Sequence, residues 1–277
     1  MLGKLIKHET RATSRIFLPL YGALLILTIF TKLVMAIGAP DFFSEAASNN
    51  SNVAEIILGI SFTLYFVLIV GICVMTLVMI IQRFYKNLFT DEGYLMFSLP
   101  VKTWELVLSK LLVGLIWSAV CTLMIVISFF ILSLGSFTMM DLTQGISMAY
   151  TEFYSTFGTS LNVLIFEIMM LIVVSTISSI LMIYVSIAIG QLFNQHRIVA
   201  SFGAYIVITI ALQIIGSILM AIFALGNLDA VISQGQDGEA MQMIHLLING
   251  STLCNVILCV GFYFATQYIM KNRLNLE

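Results

Sequence analysis

The sequence predicts an all-α membrane protein with six transmembrane helices, and three observations support this prediction. First, 60% of the 277 residues are hydrophobic and only 9% are charged, which is too little polar surface to cover a water-soluble globule. Second, the apolar residues fall into six stretches, each long enough for the roughly 20 residues that cross a bilayer. Third, Lys and Arg occupy alternate gaps between these stretches, as expected where cytoplasmic loops retain positive charge.

The six predicted spans belong to a single transmembrane domain that covers residues 1–277, with no appended soluble module. They lie near Ile16 to Ile37, Ile56 to Ile81, Leu111 to Leu134, Leu161 to Ile189, Ile198 to Leu225 and Leu247 to Met270. The basic start is long and no small-residue cleavage site follows the first stretch, so we expect that stretch to remain as an anchor.

The charges between the spans predict the orientation of the chain. The basic residues of one side are Lys4, Lys7, Arg11, Arg15, Arg83, Lys86, Lys102, Lys110, Arg197, Lys271 and Arg273. The gaps of the other side carry the acids Asp41, Glu45, Glu55, Asp141, Glu152, Asp229, Asp237 and Glu239. Because positive loops stay inside, both termini are predicted to lie in the cytoplasm.

Residues 1–15 have the pattern of an amphipathic helix. One side carries Leu2, Leu5, Ile6, Ala12 and Ile16, and the other carries Lys4, Lys7, His8, Arg11 and Arg15. Such a segment is predicted to lie in the headgroup region, with its cations near anionic lipid. The alternative is a solvated basic lead that only fixes the topology, and Glu9 on the apolar side is expected to contact protein.

One outer connection is also predicted to contain an amphipathic helix. Between residues 136 and 160, Leu142, Ile146, Tyr150, Phe153 and Phe157 recur at helical spacing. The connection is too short for an independent domain, so a helix at the outer surface is expected.

The segment 82–110 is the longest cytoplasmic connection. Thr90 or Asp91 is suited to cap a short helix, and Pro100 is expected to end it before Thr103 starts the third span. The short helix is apolar, with Tyr94, Leu95, Met96, Phe97 and Leu99. An apolar stretch beside charges predicts a contact with another protein; the alternative is that it packs beneath the membrane helices.

The chain contains no recognisable catalytic or metal-binding motif. It has no phosphate-binding loop, no H-E-x-x-H pair and no nucleophile elbow, so no catalytic residue and no metal ligand is assigned. His8, His196 and His245 fall in three separate settings and predict ordinary interfacial histidines. Cys73, Cys121, Cys254 and Cys259 all lie in predicted spans and are expected to pack as free thiols.

Two charged residues lie inside the predicted spans, where ionisable groups are costly and usually have a partner or face a cavity. Glu167 is the one carboxylate, about 10 Å below the outer end of the fourth span if that helix begins at Leu161. Lys32 lies at a comparable depth in the first span, so a Lys32–Glu167 pair is one hypothesis. A structural contact and a role in transport are equally open for Glu167.

Small and hydroxylated residues are concentrated in the fourth and fifth spans. They are Ser175, Thr176, Ser178, Ser179, Ser186, Ala188, Gly190, Gly203, Ala204 and Thr209. Such residues let helices approach closely, which predicts helix packing, while a polar route through the membrane is the alternative.

The segment from Phe89 to Leu112 resembles membrane subunits of bacterial ATP-binding cassette exporters of the type-2 permease family. The similar residues are Asp-Glu-Gly-Tyr-Leu-Met-Phe-Ser-Leu-Pro-Val at 91–101, then Trp104, Glu105, Leu106 and Ser-Lys-Leu-Leu at 109–112. Members commonly show E-G-Y-L, S/T-L-P and S/G-K-L-L in succession between spans two and three. Six spans, inside termini and a basic lead helix also agree with the family.

The resemblance implies that the connection between spans two and three is a coupling helix that docks on a separate cytoplasmic ATPase. The implied contact residues are Asp91, Glu92, Gly93, Tyr94, Leu95, Phe97, Leu99 and Pro100. The ATPase would bind ATP and Mg²⁺, so this chain is not itself expected to be an enzyme or to hold a cofactor. The other expected partners are a second permease, identical or related, and the lipid of a bacterial plasma membrane, with no nucleic acid.

The sequence departs from the family pattern at one place, and the resemblance does not identify the substrate. Family members often have an apolar re-entrant element between spans five and six, whereas Asp229, Asp237 and Glu239 lie in this gap, so re-entry is either not expected here or confined to the part after Ala240. The small outer loops favour export of amphipathic peptides, including bacteriocins, or of lipids or drugs. The alternatives are a non-transporting scaffold or sensor subunit and an ion-coupled secondary transporter.

Overall fold

A computed structural model describes residues 2–38, 52–89, 103–134, 139–157, 161–193, 196–226 and 237–272. Seven α-helices make up the regular structure of these ranges. They are α1 (Leu2–Gly38), α2 (Asn52–Phe89), α3 (Thr103–Ser133), α4 (Met139–Phe157), α5 (Leu161–Gly190), α6 (Arg197–Gly226) and α7 (Asp237–Asn272).

Six of these helices are long and apolar enough to cross a membrane, which confirms the predicted all-α class and the number of spans. The spanning segments are Leu5–Ala36, Ile56–Lys86, Trp104–Ser133, Leu161–Gly190, Arg197–Gly226 and Met241–Lys271. The protein is therefore a multi-pass membrane protein. The shorter helix α4 lies where the sequence predicted an amphipathic helix between residues 136 and 160.

The basic lead and the first span form one continuous helix, α1. Lys7, Arg11 and Arg15 are exposed, whereas Glu9 and Thr13 are buried on the opposite side. Pro19 lies inside α1 and has no N–H to donate to the carbonyl of residue 15, which weakens the turn that joins the lead to the span. A position of the lead in the lipid headgroups stays a prediction.

The chain divides into two compact units. The first contains residues 1–82 and 112–141, and therefore α1, most of α2 and most of α3. The second contains residues 83–111 and 142–277, which include α4 to α7 together with the ends of α2 and α3 that flank segment 90–102.

The first unit is a three-helix arrangement whose directions follow from its contacts. Phe17 on α1 stacks on Trp117 with ring centroids 4.6 Å apart, and Lys32 donates to the Leu132 carbonyl at 2.8 Å. Both contacts join residues 100 apart, so α1 and α3 run parallel. The core is built from Phe17, Tyr21, Leu24, Tyr65, Ile72, Met79 and Cys121.

The second unit is organised around α5, which packs against both α6 and α7. Glu167 contacts His245, and seven residues further along α5 the carbonyl of Val174 accepts a hydrogen bond from Cys259 at 3.7 Å. Both contacts advance in the same chain direction, so α5 and α7 run parallel. The second half of α5 is buried, while none of the described residues of α6 is.

The turn between α5 and α6 requires glycine at position 190. A Cβ atom added to Gly190 would lie 1.9 Å from Ser201 Oγ and 2.6 Å from the Ser201 backbone nitrogen. A side chain can rotate away, but a backbone nitrogen at this distance forces the two helices apart. This contact confirms the helix-packing interpretation of the small residues at the end of the fourth span.

We therefore expect Gly190→Ala to lower stability by about 1–3 kcal/mol, the usual cost of overpacking a close contact. Gly203→Ala is the matched control, because no atom lies within 4 Å of its added Cβ and alanine is the better helix former. Thermal unfolding in detergent, followed with a thiol-reactive dye on the four free cysteines, measures both variants. An equal or higher midpoint for Gly190→Ala would contradict the close approach.

Candidate functional site

A polar contact between two spanning helices joins α5 to α7. The carboxylate of Glu167 accepts a hydrogen bond from Asn249 Nδ2 at 2.9 Å through Oε1, and its Oε2 lies 2.5 Å from His245 Nδ1. Glu167 follows the start of α5 at Leu161 by six residues, which is about 9 Å of helix. Its depth thus agrees with the sequence-based prediction.

The two ionisable side chains of this contact are largely withdrawn from the surface. The side chains of His245 and Glu167 are 19% and 13% exposed. A carboxylate at this depth would be costly alone, and two donors from the neighbouring helix offset much of that cost. We name Glu167, His245 and Asn249 the carboxylate cluster.

His245 and Asn249 were not predicted as partners of Glu167. They lie four residues apart on α7 and so project from one side of that helix. The sequence held a usable signal, since a His and an Asn at helical spacing lie at the start of the last apolar stretch, and Glu167 is the one acid inside a predicted span. The sequence does not show, however, that α5 and α7 are neighbours.

An open groove of about 600 Å³ runs along α7 beside the carboxylate cluster. Its lining residues are Gln242, His245, Leu246, Asn249, Gly250 and Leu253. Polar side chains line one part of the groove and leucines line another, while Gly250 leaves space because no atom lies within 4 Å of the position of a Cβ. The groove is therefore amphipathic.

Lys32 has a partner inside the first unit. Its Nζ donates to the carbonyl of Leu132, which is in the last turn of α3, at 2.8 Å. A cation at the carboxyl end of a helix satisfies a carbonyl that has no donor in its own helix and complements the helix dipole. The structure thus gives Lys32 and Glu167 separate partners, each within its own unit, and a pair between them stays a prediction.

The predicted ATPase contact residues, Asp91 to Leu95, Phe97, Leu99 and Pro100, lie outside the described residues. The helix ends that flank them are described, and part of each is buried. Phe84 on α2 is 0% exposed and stacks face to face on Tyr184 of α5, with ring centroids 3.8 Å apart and an interplanar angle of 6°. Leu106, Val107, Ser109 and Lys110 on α3 are buried as well.

Candidate metal ligands do not cluster in the described ranges. No group of three or more His, Cys, Asp or Glu side chains there could hold a metal ion. The four cysteines are free. No family model, curated protein or solved structure matches this chain.

A double-mutant cycle tests the carboxylate cluster. We expect Glu167→Gln and Asn249→Ala to be coupled by about 0.6–1.7 kcal/mol, the range measured for hydrogen bonds between membrane helices. Asn255→Ala is the matched control, because Asn255 on the same helix donates to its own backbone at Ser251. Unfolding midpoints in detergent give the energies, and equal coupling of Asn249 and Asn255 to Glu167 would disprove the contact.

Proposed function

We propose that this chain is the membrane-spanning permease subunit of an ATP-driven exporter of a bacterial plasma membrane. It pairs with a separate cytoplasmic ATPase through segment 91–100 and with a second permease, identical or related. ATP and Mg²⁺ bind to the ATPase. The resemblance of residues 91–112 to type-2 permeases is the origin of this proposal.

The proposal rests mainly on one observation: the residues that flank segment 90–102 are held against α5. Residues 83–111 belong to the same compact unit as α5, α6 and α7. The stack of Phe84 on Tyr184 fixes the end of α2 to the buried half of α5. A partner that pulls on the segment therefore acts on α5 through a rigid aromatic contact, which is the physical requirement for coupling.

The described helices favour this function over ion-coupled secondary transport. Such transporters typically use broken helices and ionisable groups near the middle of the membrane. Each spanning helix here is continuous over its described length. Glu167 and Lys32 lie toward one end of their helices and each has a structural partner.

Coupling through Tyr184 can be tested on the chain purified in lipid with the ATPase encoded beside it. We expect Tyr184→Leu to keep the ATPase bound but to lower its stimulation by the permease about 5-fold or more, the usual size of coupling between sites. Tyr205→Leu is the matched control, because Tyr205 lies on α6 and is 39% exposed. Tyr184→Phe keeps the ring and should retain most of the stimulation.

Two further variants test whether segment 91–100 is the contact between the permease and the ATPase. Gly93→Arg and Leu95→Asp should abolish co-purification of the ATPase, because both put charge into an apolar docking segment. Retention of the ATPase by both variants would contradict docking through this segment. If the native chain itself bound no ATPase, the scaffold or sensor hypothesis would replace the exporter.

A further inference from the structure

We propose that the groove beside the carboxylate cluster binds a protonated amine carried on an apolar molecule of drug size. The groove has a polar part formed by Gln242, His245 and Asn249 and an apolar part formed by Leu246 and Leu253. From Gln242 to Leu253, α7 rises about 17 Å. This length is enough for a ligand with a charged head and an aliphatic tail to lie along the helix. Its volume of about 600 Å³ lies in the range of small-molecule sites.

The hydrogen bonds of the cluster determine which chemistry remains for a ligand. An ionised carboxylate has no proton to donate, so His245 Nδ1 carries the proton in its contact with Glu167. In the neutral imidazole, Nε2 is then an acceptor. Asn249 donates through Nδ2, which leaves its Oδ1 to accept as well.

The carboxylate of Glu167 can accept further hydrogen bonds. Its two oxygens offer about four lone-pair positions, and the hydrogen bonds with His245 and Asn249 use two of them. Glu167 does not itself line the groove, but it bonds directly to His245 and Asn249, which do, so its negative charge lies next to their acceptors. A protonated amine, which has three donors and no acceptor, is complementary to this set.

The charge of the outer connections favours the same ligand. In the predicted orientation these connections carry Asp41, Glu45, Glu55, Asp141, Glu152, Asp229, Asp237 and Glu239, and no Lys or Arg. A surface of one sign raises the local concentration of the opposite charge and the rate at which it associates. Cations are therefore concentrated on the side of the membrane where α5 and α7 begin.

The inference rests on the proposed function in one respect only, namely that the ligand is a substrate of the exporter. Binding itself depends on the groove and the cluster alone. A large peptide exceeds the groove, so the occupant we assign is a single-tailed alkylammonium amphiphile, for which dodecylamine is a simple probe.

Native mass spectrometry of the purified chain, released from nanodiscs of zwitterionic lipid, can count bound probe molecules. We expect dodecylamine to bind at one site, and Glu167→Gln to weaken it about tenfold or more, because the amide keeps an acceptor oxygen but removes the negative charge near the ammonium. Dodecanol has the same tail without the charge and should bind weakly to both forms. Equal binding of dodecylamine to native chain and Glu167→Gln, or equal binding of dodecanol and dodecylamine, would overturn the proposal.

Two variants guard against an effect of misfolding. Leu246→Lys places a tethered amine in the groove at a residue that is 59% exposed, so it should exclude dodecylamine without loss of stability. Asn255→Leu changes the same helix outside the groove and should bind the probe as the native chain does. Undiminished binding to Leu246→Lys at a native unfolding midpoint would place the amine elsewhere and refute the site.

The same spectra identify a competing occupant. If the native chain retains phosphatidylethanolamine that dodecylamine does not displace, the groove holds a lipid headgroup and the assignment to an amphiphilic ligand is wrong. The measurement contains no ATPase. Failure of the ATPase to associate would therefore disprove the exporter while leaving amine binding intact. Failure of the amine to bind would disprove the ligand site while leaving the exporter proposal intact.

Discussion

The absence of water inside a bilayer is the constraint on which the polar architecture of this protein depends. A polar group in the hydrocarbon region must find its hydrogen bond within the protein. Many Ser and Thr hydroxyls do so inside their own helix, as Thr28 does by donating to Leu24 at 2.7 Å. Groups that reach across instead join helices: Tyr65 bonds Ser128 at 2.7 Å, Lys32 reaches Leu132, and Glu167 holds α7.

The fold class and the number of spans were predictable because they follow from lengths and composition. Helix ends were less predictable. α2 continues to Phe89, well past the predicted end at Ile81, and Phe84 in this extension is buried against Tyr184. The amphipathic helix between spans three and four was also found from its spacing alone.

Helix neighbours could not be predicted, and this limited the site. The depth of Glu167 followed from counting residues, but its partners depend on α5 and α7 running side by side. Hydrophobic patterns do not determine such neighbours, since each span is apolar on nearly every side. The Lys32–Glu167 pair stays a prediction, and the structure gives Lys32 a helix-end carbonyl that no side-chain pattern indicates.

The two compact units derive their stability from different sources. Aromatic and aliphatic packing around Phe17, Tyr21 and Trp117 holds the first unit together. In the second unit burial is concentrated in the latter half of α5, and none of the described residues of α6 is buried. Ile206, Ile210 and Ile214 of α6, between 43% and 54% exposed, would be unfavourable in water.

In a bilayer the lipid chains are as apolar as these side chains, so their exposure costs nothing and contributes nothing to helix association. The position of α6 must then depend on close contacts with α5, and the approach of Gly190 to Ser201 is such a contact. Close approach at the turn between the two helices, rather than a hydrophobic core, therefore contributes to how α6 follows α5.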